Sequence, residues 1–150
     1  MGGSGLGGTG AAACAVVLIW AAALSVSDLR RRRLPNVLTV PGAVVVLATA
    51  AVCGRGGPAL LGGCVLGGLY LAIHLADPRG LGGGDVKLAV GLGALTGALS
   101  SDVWVLAALG APILTAAVGV LSLLRGRGGV VAHGPSMCVA SLTAAALAVL

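Results

Sequence analysis

Residues 11–36 read "AAACAVVLIWAAALSVSDLRRRRLPN". From Ala11 to Ser27 no residue is charged; then come an aspartate, four consecutive arginines and a Pro-Asn pair. A helix crossing a bilayer needs about 20 mainly apolar residues. An apolar run that stops at a basic cluster is the pattern of a span ending at a charged membrane face. A secretory signal peptide is the competing assignment, since "AAALS" offers small residues for cleavage. The first 29 residues contain no Lys or Arg, so the basic n-region of a signal peptide is missing. The segment therefore reads as a retained first span. The Gly-rich "MGGSGLGGTG" before it reads as a mobile tail, residues 1–10, ahead of one membrane-embedded unit, residues 11–150.

The whole chain repeats this character. Of its 150 residues, 58% are hydrophobic and 9% charged. A soluble domain is about 45–50% apolar and about 25% charged, so too few polar groups exist to cover a water-facing surface. Six apolar segments stand out, roughly 8–27, 37–53, 58–76, 86–100, 103–124 and 134–150. Backbone groups in lipid must be paired within their own segment, so these are helices despite their many valines. The predicted fold is an all-α polytopic membrane bundle of about six transmembrane helices.

The scarce charge lies in the connections. Arg30–Arg33, Arg79, Arg125 and Arg127 fall in the first, third and fifth, with Lys87 just inside the fourth segment; Arg55 alone lies in the second. With six crossings the odd connections share one side, which the positive-inside rule makes cytoplasmic, leaving both termini outside. The cluster Arg30–Arg33 reads as an anchor on anionic lipid headgroups. Net charge is +5, but aromatic content is 2% and no basic face is interleaved with aromatics, so nucleic acid is not a predicted partner. Cys14, Cys53, Cys64 and Cys138 form no C-x-x-C pair and read as small buried apolar residues, not as a metal or disulfide framework. The G-x-x-x-G pairs Gly63/Gly67 and Gly93/Gly97 have the spacing at which membrane helices approach closely, although 27 glycines make such spacings common.

Two of the four aspartates stand out. Asp28 ends the first segment and Asp85 opens the fourth, 57 positions later. Two complete spans lie between them, so both carboxylates come to similar depth on one side. A carboxylate near hydrocarbon is costly and is a functional candidate by default. Two close carboxylates cannot both ionise easily. The ionised one can take a proton from water, and the protonated one can donate to a carbonyl oxygen, which is the equipment for peptide hydrolysis without a covalent intermediate. Each has a plainer role too: Asp28 can pair with the following arginines, and Asp85 can cap a helix after a glycine turn.

The neighbours of the two aspartates carry a resemblance. "SVSDLRRRRLPNVLT" and "GGGDVKLAVGLG" resemble the two motifs of the type 4 prepilin leader peptidases, the GxGD-type intramembrane aspartic proteases. Pro35, Asn36, Leu38 and Thr39 match the first motif. Gly82, Gly84, Asp85, Val86, Lys87 and Leu88 match the second. "HGPSMCVASLTAAA" resembles, through Gly134 and Pro135, the Gly-Pro segment opening the family's last helix; His133 departs from the apolar or aromatic residue expected there. The resemblance covers about residues 10–150. It implies a membrane aspartic endopeptidase that removes the basic leader of prepilin-like precursors at the cytoplasmic face, cutting after a glycine. Asp28 and Asp85 are its implied catalytic pair, with no metal or organic cofactor. Longer relatives carry paired zinc-binding cysteines associated with N-methylation of the product; this chain resembles the short, peptidase-only form.

Around that pair several residues are candidates for support. Gly82 and Gly84 would let a substrate backbone approach Asp85, or simply form a turn. Lys87 would act on Asp85 or on a substrate carbonyl, or snorkel at a helix end. Asn36 is expected to cap the second helix beside Pro35. Asp77 is a candidate contact for a basic leader, or a solvated residue of the "DPRG" turn. His74 and His133 read as packed, hydrogen-bonded histidines, and Trp20 and Trp104 as residues near the interfaces. Two other classes use the same sequence: a small transporter or channel subunit with the aspartates lining an ion path, and a non-catalytic subunit of a pilus or secretion system.

Overall fold

The computed structural model describes residues 5–149, with side chains from residue 10 to 148. Six helices follow one another: α1 (Gly5–Arg31), α2 (Asn36–Val52), α3 (Gly56–Ala76), α4 (Gly83–Leu99), α5 (Ser101–Leu124) and α6 (Gly134–Val149). The described residues contain no strand. Each of the six apolar segments corresponds to one helix. Of the expected tail, residues 1–4 lie outside the described residues, and Gly5–Gly10 continue α1 as helix. Extending an existing helix by a turn avoids the nucleation cost that an isolated Gly-rich segment would meet.

Three stretches, Gly10–Arg31, Gly56–Ala76 and Ser101–Leu124, are long and apolar enough to cross a membrane. The helices α2, α4 and α6 have 17, 17 and 16 residues, about 24–26 Å at 1.5 Å per residue. The shortness of α4 goes with its place. It packs against α2, α3, α5 and α6, and Leu88, Ala89, Leu92 and Ala94 on it are essentially inaccessible. Leu24 of α1, Leu66 and Tyr70 of α3, and Met137 of α6 close the same core. An enclosed helix meets protein instead of lipid, and its small Gly and Ala residues let the neighbouring helices approach closely. The outer faces of the other helices expose large apolar side chains, among them Ile19, Val44, Leu61 and Ile113. An apolar surface of this extent marks contact with lipid or protein rather than water.

Glycine brings α3 and α4 together. A Cβ on Gly62 would collide with the Gly93 carbonyl oxygen; one on Gly93 would come within 2.5 Å of the Gly62 oxygen, and one on Gly97 within 2.8 Å of the Pro58 oxygen. A Cβ on Gly67 would meet Val90 Cγ2 at 2.5 Å. Both G-x-x-x-G pairs therefore lie on one interface and face each other's helix. Trp20 spans α1 to α2: its Nε1 donates to the Leu38 carbonyl at 2.8 Å, and its ring occupies the space a side chain at Gly42 would need. It packs α1 against α2 within the bundle. Trp104, in the first turn of α5, donates to the Gly62 carbonyl at 3.0 Å.

The cysteines depart from expectation. Cys138 is buried, whereas Cys14, Cys53 and Cys64 are exposed. On Cys14 and Cys64, within α1 and α3, a thiol is apolar enough to be tolerated on a lipid-facing surface, while Cys53 stands at the end of α2.

Candidate active site

The first, third and fifth connections meet at one end of the bundle. The second and fourth meet at the other, where the Arg55 guanidinium reaches the Ala98 and Leu99 carbonyls at the end of α4, both at 3.3 Å. At the first end lies a cavity of about 260 Å³. The end of α1 supplies Asp28 to its wall, the connection after it supplies Arg32, Arg33 and Leu34, and the start of α4 supplies Gly82, Gly83, Gly84 and Asp85. Both aspartates thus line one space. A larger groove of about 370 Å³ opens between α3 and α5 near Pro58 and Trp104, but no titratable side chain lines it.

Asp28 sits in the last turns of α1, which continues to Arg31. Basic residues suit a helix C-terminus because they face the negative end of its dipole. Arg32 then adopts a positive φ of 48°, a left-handed conformation uncommon outside glycine. The reversal buries Leu34, which packs on Gly84: a Cβ at that glycine would lie 2.8 Å from Leu34 Cβ. Gly84 therefore lets the first connection close against α4. Asp28 is only 7% exposed. Its Oδ2 accepts a hydrogen bond of 3.0 Å from the backbone N–H of Gly134, so its partner is the start of α6 and not an arginine. A Cβ at Gly134 would fall 2.7 Å from that same oxygen.

Asp85 is the third residue of α4, behind the N-cap Gly82, rather than the cap itself. Its Oδ2 accepts the Gly82 N–H at 3.2 Å, satisfying one of the unpaired donors of a helix start. The side chain is only partly buried, and Asp85 borders the cavity.

Lys87 and Asn36 find each other. Lys87 Nζ donates to Asn36 Oδ1 at 2.7 Å, joining α4 to α2. This corrects the expected cap: Pro35 occupies the N-cap position of α2 and no side chain caps the helix. Proline presets the backbone for a helix start, and the Asn36 amide, being the first helical residue, points to the lysine of the facing helix. Asp77 is exposed and accepts the backbone N–H groups of Arg79 and Gly80 through Oδ1 at 3.2 and 3.1 Å. That is a turn-forming aspartate; it does not border the cavity. Arg32 and Arg33, expected as part of a headgroup anchor, do border it.

Both histidines are hydrogen-bonded. His74 Nδ1 donates to the Leu81 carbonyl at 2.6 Å, holding the third connection to the end of α3. His133 bonds Tyr70 and Thr115. Tyr70 and Thr115 were not legible as site neighbours, because an isolated Tyr or Thr within an apolar run gives no spacing signal. Gly134 was legible only through the short "HGP" opening of α6.

The described residues form no cluster of three or more His, Cys or Asp able to hold a metal ion. The structure defines an all-helical membrane protein in which two carboxylates, Asp28 and Asp85, line one cavity at an end of the bundle. Residues 15–149 match the type IV leader peptidase family, and the chain belongs to that family. No curated protein and no solved structure matches it.

Proposed function

We propose that the protein is an aspartic endopeptidase in which Asp28 and Asp85 form the general acid–base pair. The observation carrying this reading is that the two carboxylates, distant in sequence, line one cavity. Family membership supplies protease activity; the pair supplies a mechanism. At the working pH one carboxyl keeps its proton and the other is ionised, because two negative charges in one small space repel. The ionised carboxylate takes a proton from water, whose oxygen attacks the scissile carbonyl carbon. The protonated carboxyl donates to the carbonyl oxygen. The tetrahedral intermediate collapses as the leaving nitrogen takes up a proton, and the pair returns to its starting state. The Gly134 N–H, donating to Asp28 Oδ2, leaves the other Asp28 oxygen for this exchange.

The substrates in this reading are prepilin-like precursors with a basic leader, a glycine and an apolar helix, cut after the glycine. Six helices cross the membrane, the cavity end is cytoplasmic by the excess of Arg and Lys in the connections there, and both termini lie outside. The exposed Gly82 and Gly83 leave room beside Asp85 for an extended substrate backbone. Asp77, outside the cavity but at the same end, is the proposed contact for the basic leader. Arg30 and Arg31 lie against anionic headgroups.

The test is leader removal from a co-expressed precursor, followed on a gel. Asp28→Asn and Asp85→Asn are each expected to abolish cleavage while the protein still inserts. Full activity in either variant overturns the reading.

A further inference from the structure

We propose that His133 is a positioning residue: it clamps the start of α6 to α3 and α5 and thereby sets the Gly134 N–H against Asp28. The proposal rests on Asp28 being one of the catalytic carboxylates.

The backbone and side chain of His133 do different jobs. Its carbonyl accepts the Met137 N–H at 3.1 Å, the first hydrogen bond of α6. Its ring reaches two other helices. Nε2 lies 2.9 Å from the Tyr70 hydroxyl on α3, and Nδ1 lies 2.6 Å from Thr115 Oγ1 on α5. The ring also lies beside that of Tyr70, tilted by 30°, with centroids 5.6 Å apart.

The donors and acceptors of this chain run in one direction. Thr115 has a single hydroxyl hydrogen, and it donates to the Ala111 carbonyl at 3.1 Å. The Thr115 oxygen therefore accepts from His133 Nδ1–H. Nε2 of the neutral ring has no hydrogen and accepts from the Tyr70 O–H. In this tautomer every hydrogen of the chain has an acceptor, whereas the other neutral tautomer, or a doubly protonated ring, would leave the Tyr70 hydroxyl hydrogen without one. Burial favours that neutral form, against the opposing pull of the Asp28 charge.

The clamp ends one residue before Gly134. That glycine approaches Asp28 so closely that a Cβ would meet both Oδ2 and, at 3.2 Å, Cγ. Hydrogen bonds to charged groups fall off steeply with geometry, so a small rotation of the α6 start would lose the contact. A histidine that is merely a satisfied core residue would affect how much protein folds, and not the turnover of the molecules that do.

The experiment uses the full chain in detergent micelles and a synthetic precursor segment with a basic leader, a glycine and an apolar helix. Rates are expressed per folded molecule, from size-exclusion and circular-dichroism measurements. Thr115→Val is expected to lower kcat by about tenfold with KM within about twofold, and Thr115→Ser to restore kcat to within about twofold, because it keeps the hydroxyl. His133→Ala is expected to lose at least as much as Thr115→Val. Wild-type kcat per folded molecule in both His133→Ala and Thr115→Val, with Asp28→Asn inactive, overturns the clamp and leaves the aspartate pair standing. Losses confined to the folded fraction or to KM overturn it too. Should His133→Ala fail to fold, the Thr115 pair decides alone. Activity in Asp28→Asn instead overturns the reading beneath it.

Discussion

Gly134 donates its backbone N–H to Asp28 Oδ2 across 106 positions of sequence, at 3.0 Å in a buried setting. The contact joins the last helix to the first and leaves no room for a side chain at residue 134. Gly134→Ala is therefore expected to displace either α6 or the carboxylate. A hydrogen bond to a charged group is worth about 1.5–3 kcal/mol, so leader cleavage should fall by about tenfold or more. The same gel assay measures it, with membrane insertion as the control.

The α3–α4 interface makes a second expectation. Gly93→Val would push a branched side chain into the Gly62 carbonyl and Leu66. Overpacking of this kind costs about 1–3 kcal/mol and should lower the thermal midpoint in micelles. Gly68→Ala, with nothing within 4 Å of its added Cβ, should leave the midpoint unchanged or raise it slightly.

Lys87 and Asn36 are joined at an exposed site, where solvent weakens such pairs. A double-mutant cycle with Lys87→Met and Asn36→Ala should give a coupling of about 0.5–1 kcal/mol in thermal stability. Additive effects would mean that the bond contributes nothing in solution.

Cys53 tests the orientation. It is exposed at the end of α2, beside the connection that carries Arg55. With the cavity end cytoplasmic, a membrane-impermeant thiol reagent applied to intact cells should label Cys53. Protection in intact cells, with labelling after lysis, would invert the arrangement.

His133 gives a pH expectation. Burial lowers its pKa below the ordinary 6.5, with the Asp28 charge acting the other way. The unfolded chain then binds a proton more readily than the folded one, so stability falls as pH drops below about 6.5 and through the lowered value. The thermal midpoint of the wild type should decline more steeply on acidification than that of His133→Asn. Parallel declines would show that His133 is not the group responsible.

The sequence by itself determined the helical class, the six segments and the end of the bundle where charge collects. These follow from solvation alone, since long apolar runs must form helices in lipid and basic residues gather at one face. It also carried the family, through the neighbours of Asp28 and Asp85. Only the tertiary structure decided which groups those carboxylates touch. Asp28 is held by a glycine N–H from α6, not by the arginines beside it, because the chain reverses at Arg32 and α6 starts against α1. Asn36 serves Lys87 instead of capping α2, and Tyr70 and Thr115 enter only because three helices converge on His133. Hydrogen bonds are settled at a few ångströms by where helices cross, and no spacing along the chain encodes those crossings.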